Sequence, residues 1–178
     1  MTARHVVVMV TTSYPRFPGD TIGTFMEPIA RGVAGRGHQV HVVLPWHPRL
    51  TRLGVEDGIH FHPVRYAPHP GLNVFGYAES LRADVHLRLA AFLAAPLALQ
   101  ALVRATRRVS REVGATLLHG HWLIPGGAVV AAAAAGLPVV TSLHGSDVYV
   151  AERHAIARLA ARFALRRVDW ITACSDDL

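Results

Sequence analysis

HVVVMVTTSYPRFPGDTIGTFMEPIARGVAGRGHQVHVVL, residues 5–44, holds in one piece the signals that decide the fold. HVVVMV (5–10) is a short β-branched run that stops at the turn-rich TTSYPRFPGD, the pattern of a buried strand entering a loop. A helix is expected from about Thr24, with Phe25, Ile29 and Val33 on one face and Gly35 and Gly37 as its C-terminal stop. QVHVVL (39–44) then reads as a second buried strand. A strand, a crossover helix and a second strand within about 40 residues make a βαβ unit, for which a parallel sheet is expected.

Working outward, Pro45–Gly76 is rich in proline, histidine and glycine, and only GIHFHPV (58–64) alternates enough to be a third strand; its surroundings read as loop. From about Tyr77 to Val113 the pattern is helical. It contains LAAFLAAPLALQALV (89–103), which is shorter than the roughly 20 apolar residues of a membrane span, carries Gln100 and is interrupted by Pro96. A buried core helix is the plainer reading; the alternative is a helix lying on a membrane surface, helped by Arg104, Arg107, Arg108 and Arg111.

ATLLHG (115–120), GLPVVTSLHG (136–145) and VDWITACS (168–175) read as strands four to six. Between them lie an alanine-rich helix from about Gly126 to Ala135 and an arginine-rich helix from about Tyr149 to Arg167. The fold class is therefore α/β: a doubly wound, mostly parallel Rossmann-like sheet of about six strands in the order 3-2-1-4-5-6, flanked by helices. In such sheets ligands bind outside the carboxyl ends of the strands. The loop after strand one, His119 and His121 after strand four and His144 after strand five all fall on that rim.

Composition bounds the rest. The 178 residues are 51% hydrophobic and 17% charged, which suits one compact domain with a real core. All 18 basic residues are arginine, against 12 acidic ones, and the formal charge of +6 fits a phosphorylated small molecule, an anionic surface or nucleic acid. The arginines lack the aromatic interleaving of single-strand platforms, so nucleic acid ranks last among partners. The single Cys174 excludes an intramolecular disulfide framework and agrees with a reducing compartment, and the first residues carry no signal-peptide pattern; a cytoplasmic protein is expected.

Within PGDTIGTF (18–25), Gly19 and Gly23 let backbone approach a ligand, and the helix that follows aims its first amides there, a sound diphosphate site. The plain alternative is an ordinary strand-to-helix turn capped by Thr24. The dinucleotide fingerprint G-x-G-x-x-G is absent and no acidic residue follows strand two, which weakens a redox reading. HGHW (119–122) with His144 and Asp147 invites a metal, but hydrolases with this H-x-H spacing carry it in a long β/α barrel, so no metal is expected.

His119 and His121 serve either the cleft or the backbone near the rim. His144 stands at a strand end in HGSD, where Gly145 permits a tight turn, Ser146 or Asp147 can cap the next helix, and the imidazole can meet a hydroxyl. Asp147 reads as that N-cap or as an acceptor for sugar hydroxyls. Trp122 is either a core anchor or a flat apolar wall.

SYPRFPGDTIGTFMEPIARGVAGRGHQVHVV, HGHWLIPGG, VVTSLHGSDV and RVDWITACSDDL together resemble the N-terminal domain of family 4 glycosyltransferases, over essentially the whole chain. The resemblance implies a retaining enzyme of GT-B architecture, with residues 1–178 as its acceptor-side half. It implies a nucleotide-sugar donor, a glycan or lipid-linked acceptor and no further cofactor. Gly23 and Thr24 match the loop near the donor diphosphate, and His144 matches a histidine near the reacting centre, with Asp147 in the same motif.

His119, His121, Trp122, Gly145 and Ser146 would shape the substrate cleft. Helices such as 77–113 look like those with which relatives approach membrane-borne acceptors, so peripheral contact with the inner face of the cell membrane is expected. In the family a C-terminal domain supplies most donor contacts. The chain is expected to need that domain, in cis or in trans, and to be inactive without it. The competing reading is a non-catalytic module of the same fold that binds a glycan, a lipid-linked sugar or a protein.

Overall fold

In the computed structural model the described residues are 4–69, 72–73, 75–77, 81–82, 86–87 and 89–176. The opening unit is β1 (Val6–Val10), α1 (Met26–Ala34) and β2 (Gln39–Pro45), with the two strands paired in parallel, Val6 opposite Gln39 and Val10 opposite Val43. Alternate residues of β1 feed opposite faces of the sheet. Val7 and Met9 pack with Met26 and Ala30 of α1, while Val8 and Val10 pack in a second cluster with Leu102 and Val109. Burial on both faces is why these strands read as unbroken apolar runs.

α1 begins later than expected. Phe25 occupies the N-cap position, no side chain caps the helix, and Thr24 lies outside it and exposed. The left-handed residue that turns the chain back is Gly37, at φ 88, whereas Gly35 keeps helical angles.

After β2 come β3 (Gly54–Glu56) and β4 (Ile59–Val64), an antiparallel hairpin whose two-residue turn is Asp57–Gly58, both at positive φ. The Asp-Gly pair is the turn signal that a loop reading of this stretch passes over. The expected helix from Tyr77 is also corrected. Tyr77 sits buried in a turn, and β5 (Leu81–Arg82) and β6 (His86–Leu87) pair as a short hairpin before α2 (Leu89–Val113); residues 78–80, 83–85 and 88 lie outside the described ones. Pro96 does not interrupt α2: it stands within the helix on its exposed side.

The remaining elements are β7 (Leu117–His121), α3 (Ala128–Ala133), β8 (Val139–Leu143), α4 (Ser146–Arg153), α5 (Ala155–Leu165) and β9 (Trp170–Ala173). The alanine-rich helix is shorter than expected, because Trp122–Gly127 forms a wide π-type turn first. The arginine-rich helix is two helices, broken at His154, whose φ of −123° and ψ of 121° are extended.

The sheet runs β3-β4-β2-β1-β7-β8-β9, and every pairing in it is parallel except β3 with β4. This is the expected doubly wound order with one antiparallel strand added at an edge. α2 buries Ala98, Leu102, Ala105 and Val109 and turns Arg104, Arg107, Arg108 and Arg111 to solvent, as a core helix does. Among the described residues no helix is long and apolar enough to cross a membrane.

Leu118 is fully buried in the α2-side core, at the centre of the sheet. Leu118→Ala is expected to lower unfolding stability by about 2–5 kcal/mol, read from urea denaturation.

Candidate functional site

The carboxyl ends of β1, β7 and β8 lie side by side, because β1 pairs with β7 and β7 with β8. Glycines let the turn after β7 fold back onto its own strand. A Cβ on Gly126 would stand 2.0 Å from the His121 carbonyl oxygen, and one on Gly120 would stand 2.7 Å from the Gly126 backbone. Trp122, at φ 63, swings out of this turn in the left-handed region.

β8 ends in Gly145, the N-cap of α4 at φ 87, a conformation that suits glycine. Asp147 is not the N-cap. It is buried, and its carboxylate accepts the backbone N–H of His144 at 3.1 Å through Oδ1 and the backbone N–H of Leu123 through Oδ2. The acidic residue of HGSD therefore ties the two loops together from beneath, while Ser146 is exposed above them.

The three histidines form a graded stack: the ring centroids of His119 and His121 are 4.2 Å apart, and those of His121 and His144 are 5.6 Å apart. His119 Nε2 meets Ser142 Oγ at 2.8 Å, and Ser142 Oγ meets Thr172 Oγ1 at 2.6 Å, a polar chain crossing β7, β8 and β9. His121 Nδ1 meets His144 Nε2 at 3.3 Å. The stack does not present a converging ligand set, and among the described residues no group of three or more His, Cys, Asp or Glu is placed to hold a metal ion.

Burial, the leading cause at all three, holds these imidazoles below their ordinary pKa, His119 at about 4, so the stack is neutral near pH 7. At His144 the Asp147 carboxylate opposes the shift.

Phe25 joins the site unannounced by its helical spacing. Its ring lies 4.7 Å from that of His144 and 5.4 Å from that of Trp122, and Trp122 lies 4.8 Å from His144. Phe25, the N-cap of α1, makes this contact beside the apolar stripe of the helix. It brings the Gly23–Thr24 loop against the other two loops, so the sequence-predicted residues converge on one rim. Gly23 itself, at φ 67, packs on the Ser13 backbone, where a Cβ would stand 2.9 Å from the carbonyl carbon. The glycine is required by the loop's own packing, and Thr24 beside it is the exposed member.

A buried ion pair braces that loop. Arg16 Nε and Nη2 donate to Asp20 at 2.7 and 3.2 Å, and the Asp20 carboxylate also accepts the backbone N–H of Arg16 and Ile22. These bonds hold the Asp20 carboxyl well below the usual carboxylate range. Sequence reading passed over the pair, although an arginine and an aspartate four apart around Phe17-Pro18-Gly19 were the available signal.

Two surface depressions, of about 720 and 490 Å³, lie away from this rim, at the amino ends of the strands around His38–Gln39 and Leu137–Pro138. The rim brings together two aromatic side chains, one partly exposed imidazole and a glycine-containing loop. Aromatic faces cover the C–H faces of a sugar ring, and neutral imidazoles exchange hydrogen bonds with its hydroxyls.

Sheet order and rim together define a Rossmann-like α/β domain of the kind that builds one half of a GT-B architecture. The chain belongs to Glycosyltransferase Family 4, whose model matches residues 22–178. Sucrose-phosphate synthase from Thermosynechococcus elongatus is similar in fold in two structures. One gives a TM-score of 0.61 at 11% identity, covering 96% of this chain and 77% of that one. The other gives 0.62 at 13%, covering 94% and 42%.

The glycosyltransferase SsfS6 from Streptomyces sp. SF2575, complexed with thymidine diphosphate, gives 0.51 at 11% identity, covering 91% of this chain and 43% of that one. The chain therefore spans less than half the length of the latter two structures. It matches no curated protein sequence.

Asp20→Ala is expected to cost about 3–5 kcal/mol in urea denaturation, since it leaves the Arg16 guanidinium buried without its carboxylate. A second expectation concerns pH. His41, which stacks on His60 and meets His62 across β2 and β4, is held at about 4 by burial, and His62 is lowered as well. Together with the rim histidines these groups bind fewer protons folded than unfolded between pH 6.5 and about 4. These groups then remove stability progressively as pH drops through 6.5 toward 4, measured as a declining urea midpoint.

Proposed function

We propose that this chain is the acceptor-side domain of a retaining glycosyltransferase that moves a sugar from a nucleotide-sugar donor to a glycan or a lipid-linked acceptor. The observation that carries the reading is the meeting of three loops on one rim, where Phe25 and Trp122 wall the His144 imidazole. His144 orients a sugar hydroxyl there; Asp147 holds the backbone that presents it. The Gly23–Thr24 loop and the first turn of α1 face the donor diphosphate. His121, Gly145 and Ser146 shape the cleft, and His119 supports it from behind.

A C-terminal domain, in cis or in trans, supplies the remaining donor contacts, and the chain does not turn over by itself. The exposed arginines of α2 suit peripheral approach to an anionic membrane carrying the acceptor. No metal is assigned to the reaction.

The test is to fuse or mix the chain with a family 4 C-terminal half and assay transfer across panels of nucleotide sugars and acceptors. Transfer is expected, and His144→Ala, which removes a hydrogen-bonding group at the sugar, should lower kcat/KM by about 10²-fold. Absence of transfer from every donor, with glycan binding retained, would overturn the enzyme reading and leave a binding module on the same fold.

A further inference from the structure

His121 is fully buried at the end of β7, and its two ring nitrogens have unequal surroundings. Nδ1 faces His144 Nε2 at 3.3 Å, whereas Nε2 is buried with no hydrogen-bond partner. His119, the neighbouring ring, has its own Nε2 engaged by Ser142. Both members of the His121–His144 pair are neutral, so each carries one N–H and one bare nitrogen, and only one proton lies between the rings.

Two arrangements satisfy that contact. In the first, His144 Nε2–H donates to His121 Nδ1, and the His121 proton is forced onto Nε2, a buried donor with nothing to receive it. In the second, His121 Nδ1–H donates to His144 Nε2, and the buried His121 Nε2 keeps only a lone pair. Orphaned buried N–H groups are rarer than under-used acceptors, so the second arrangement wins.

We infer that His121 is a positioning residue: by donating from Nδ1 it locks His144 as the Nδ1–H tautomer, which offers a hydrogen-bond donor to the ligand instead of a base. His121 has no freedom to turn away. Its side chain is fully buried, and the His119 ring lies 4.2 Å from its own. The tautomer of His144 is thereby set from the core, while Phe25 and Trp122 set the tilt of its ring.

The inference deepens the sugar-transfer reading and rests on it for the identity of the ligand. His144 Nδ1–H then donates to an oxygen of a bound sugar, and a hydroxyl proton is not taken up by this imidazole. Discrimination follows, since a ligand lacking that acceptor oxygen leaves the N–H unpaired.

The test reads tautomers directly, with no substrate present. Long-range ¹H–¹⁵N spectra of the ¹⁵N-histidine-labelled chain near pH 7.5, with His144→Ala used for assignment, should show His144 protonated at Nδ1 and bare at Nε2. His121→Leu should release His144 to the Nε2–H form that predominates in water. His121→Asn, whose amide N–H stands near the Nδ1 position, should restore the Nδ1–H form. A wild-type His144 protonated at Nε2 overturns the inference without needing any variant to fold, and so does a tautomer that His121→Leu leaves unchanged. Because the spectrum needs no turnover, failure of sugar transfer and failure of the tautomer lock are separate results.

Discussion

The buried Asp147 carboxylate, accepting the backbone N–H of His144 and of Leu123, is the contact on which the site depends. One oxygen serves the loop after β8 and the other serves the turn after β7, so a single side chain sets the spacing between the two segments that carry the imidazole stack. A carboxylate at this depth persists only when its oxygens are satisfied, and two backbone donors do so without a cationic partner in either bond. Glycine does the complementary work. Gly120, Gly126 and Gly127 bring the turn within van der Waals reach of strand and neighbour, and Gly145 takes the left-handed angle that starts α4.

Around that frame the imidazoles of the rim carry no charge near pH 7. Burial keeps His119, His121 and His144 neutral, and the buried guanidinium of Arg16 in the loop after β1 is paired with Asp20. The excess arginine lies instead on outer helix faces, at Arg104, Arg107, Arg108 and Arg111 of α2 and at Arg153, Arg158 and Arg166 around α4 and α5. Among the described residues, most arginines outside the buried ion pairs are exposed. The histidine rim is held by hydrogen bonds and aromatic contacts, which would suit the uncharged sugar ring of the proposed function.

Most of the sheet was legible because strands buried on both faces leave a mark that needs no tertiary knowledge: VVVMV, QVHVVL and PVVTSL are short runs rich in valine and leucine, bounded by glycine, proline or polar turns. Their order followed from alternation with helices. What escaped was local and contextual. The Asp57–Gly58 hairpin, the break at His154 and the π-type turn after His121 depend on which backbone groups find partners, and helical periodicity is blind to that. Phe25 shows the same limit: its spacing matched Ile29 and Val33, yet the ring packs against Trp122 and His144.

The sequence by itself determined the doubly wound architecture, its strand order and the rim on which His119, His121, His144 and the Gly23 loop meet, because hydrophobic period and glycine placement are read along the chain. Only the tertiary structure decided what each residue there does. Asp147, a helix cap in the sequence, becomes a clamp beneath two loops, and His121, one of three similar histidines, becomes the sole fully buried member facing His144. The reason is that roles of this kind rest on burial and on the direction of individual donors and acceptors, which residues 23 positions apart acquire only once the strands lie side by side.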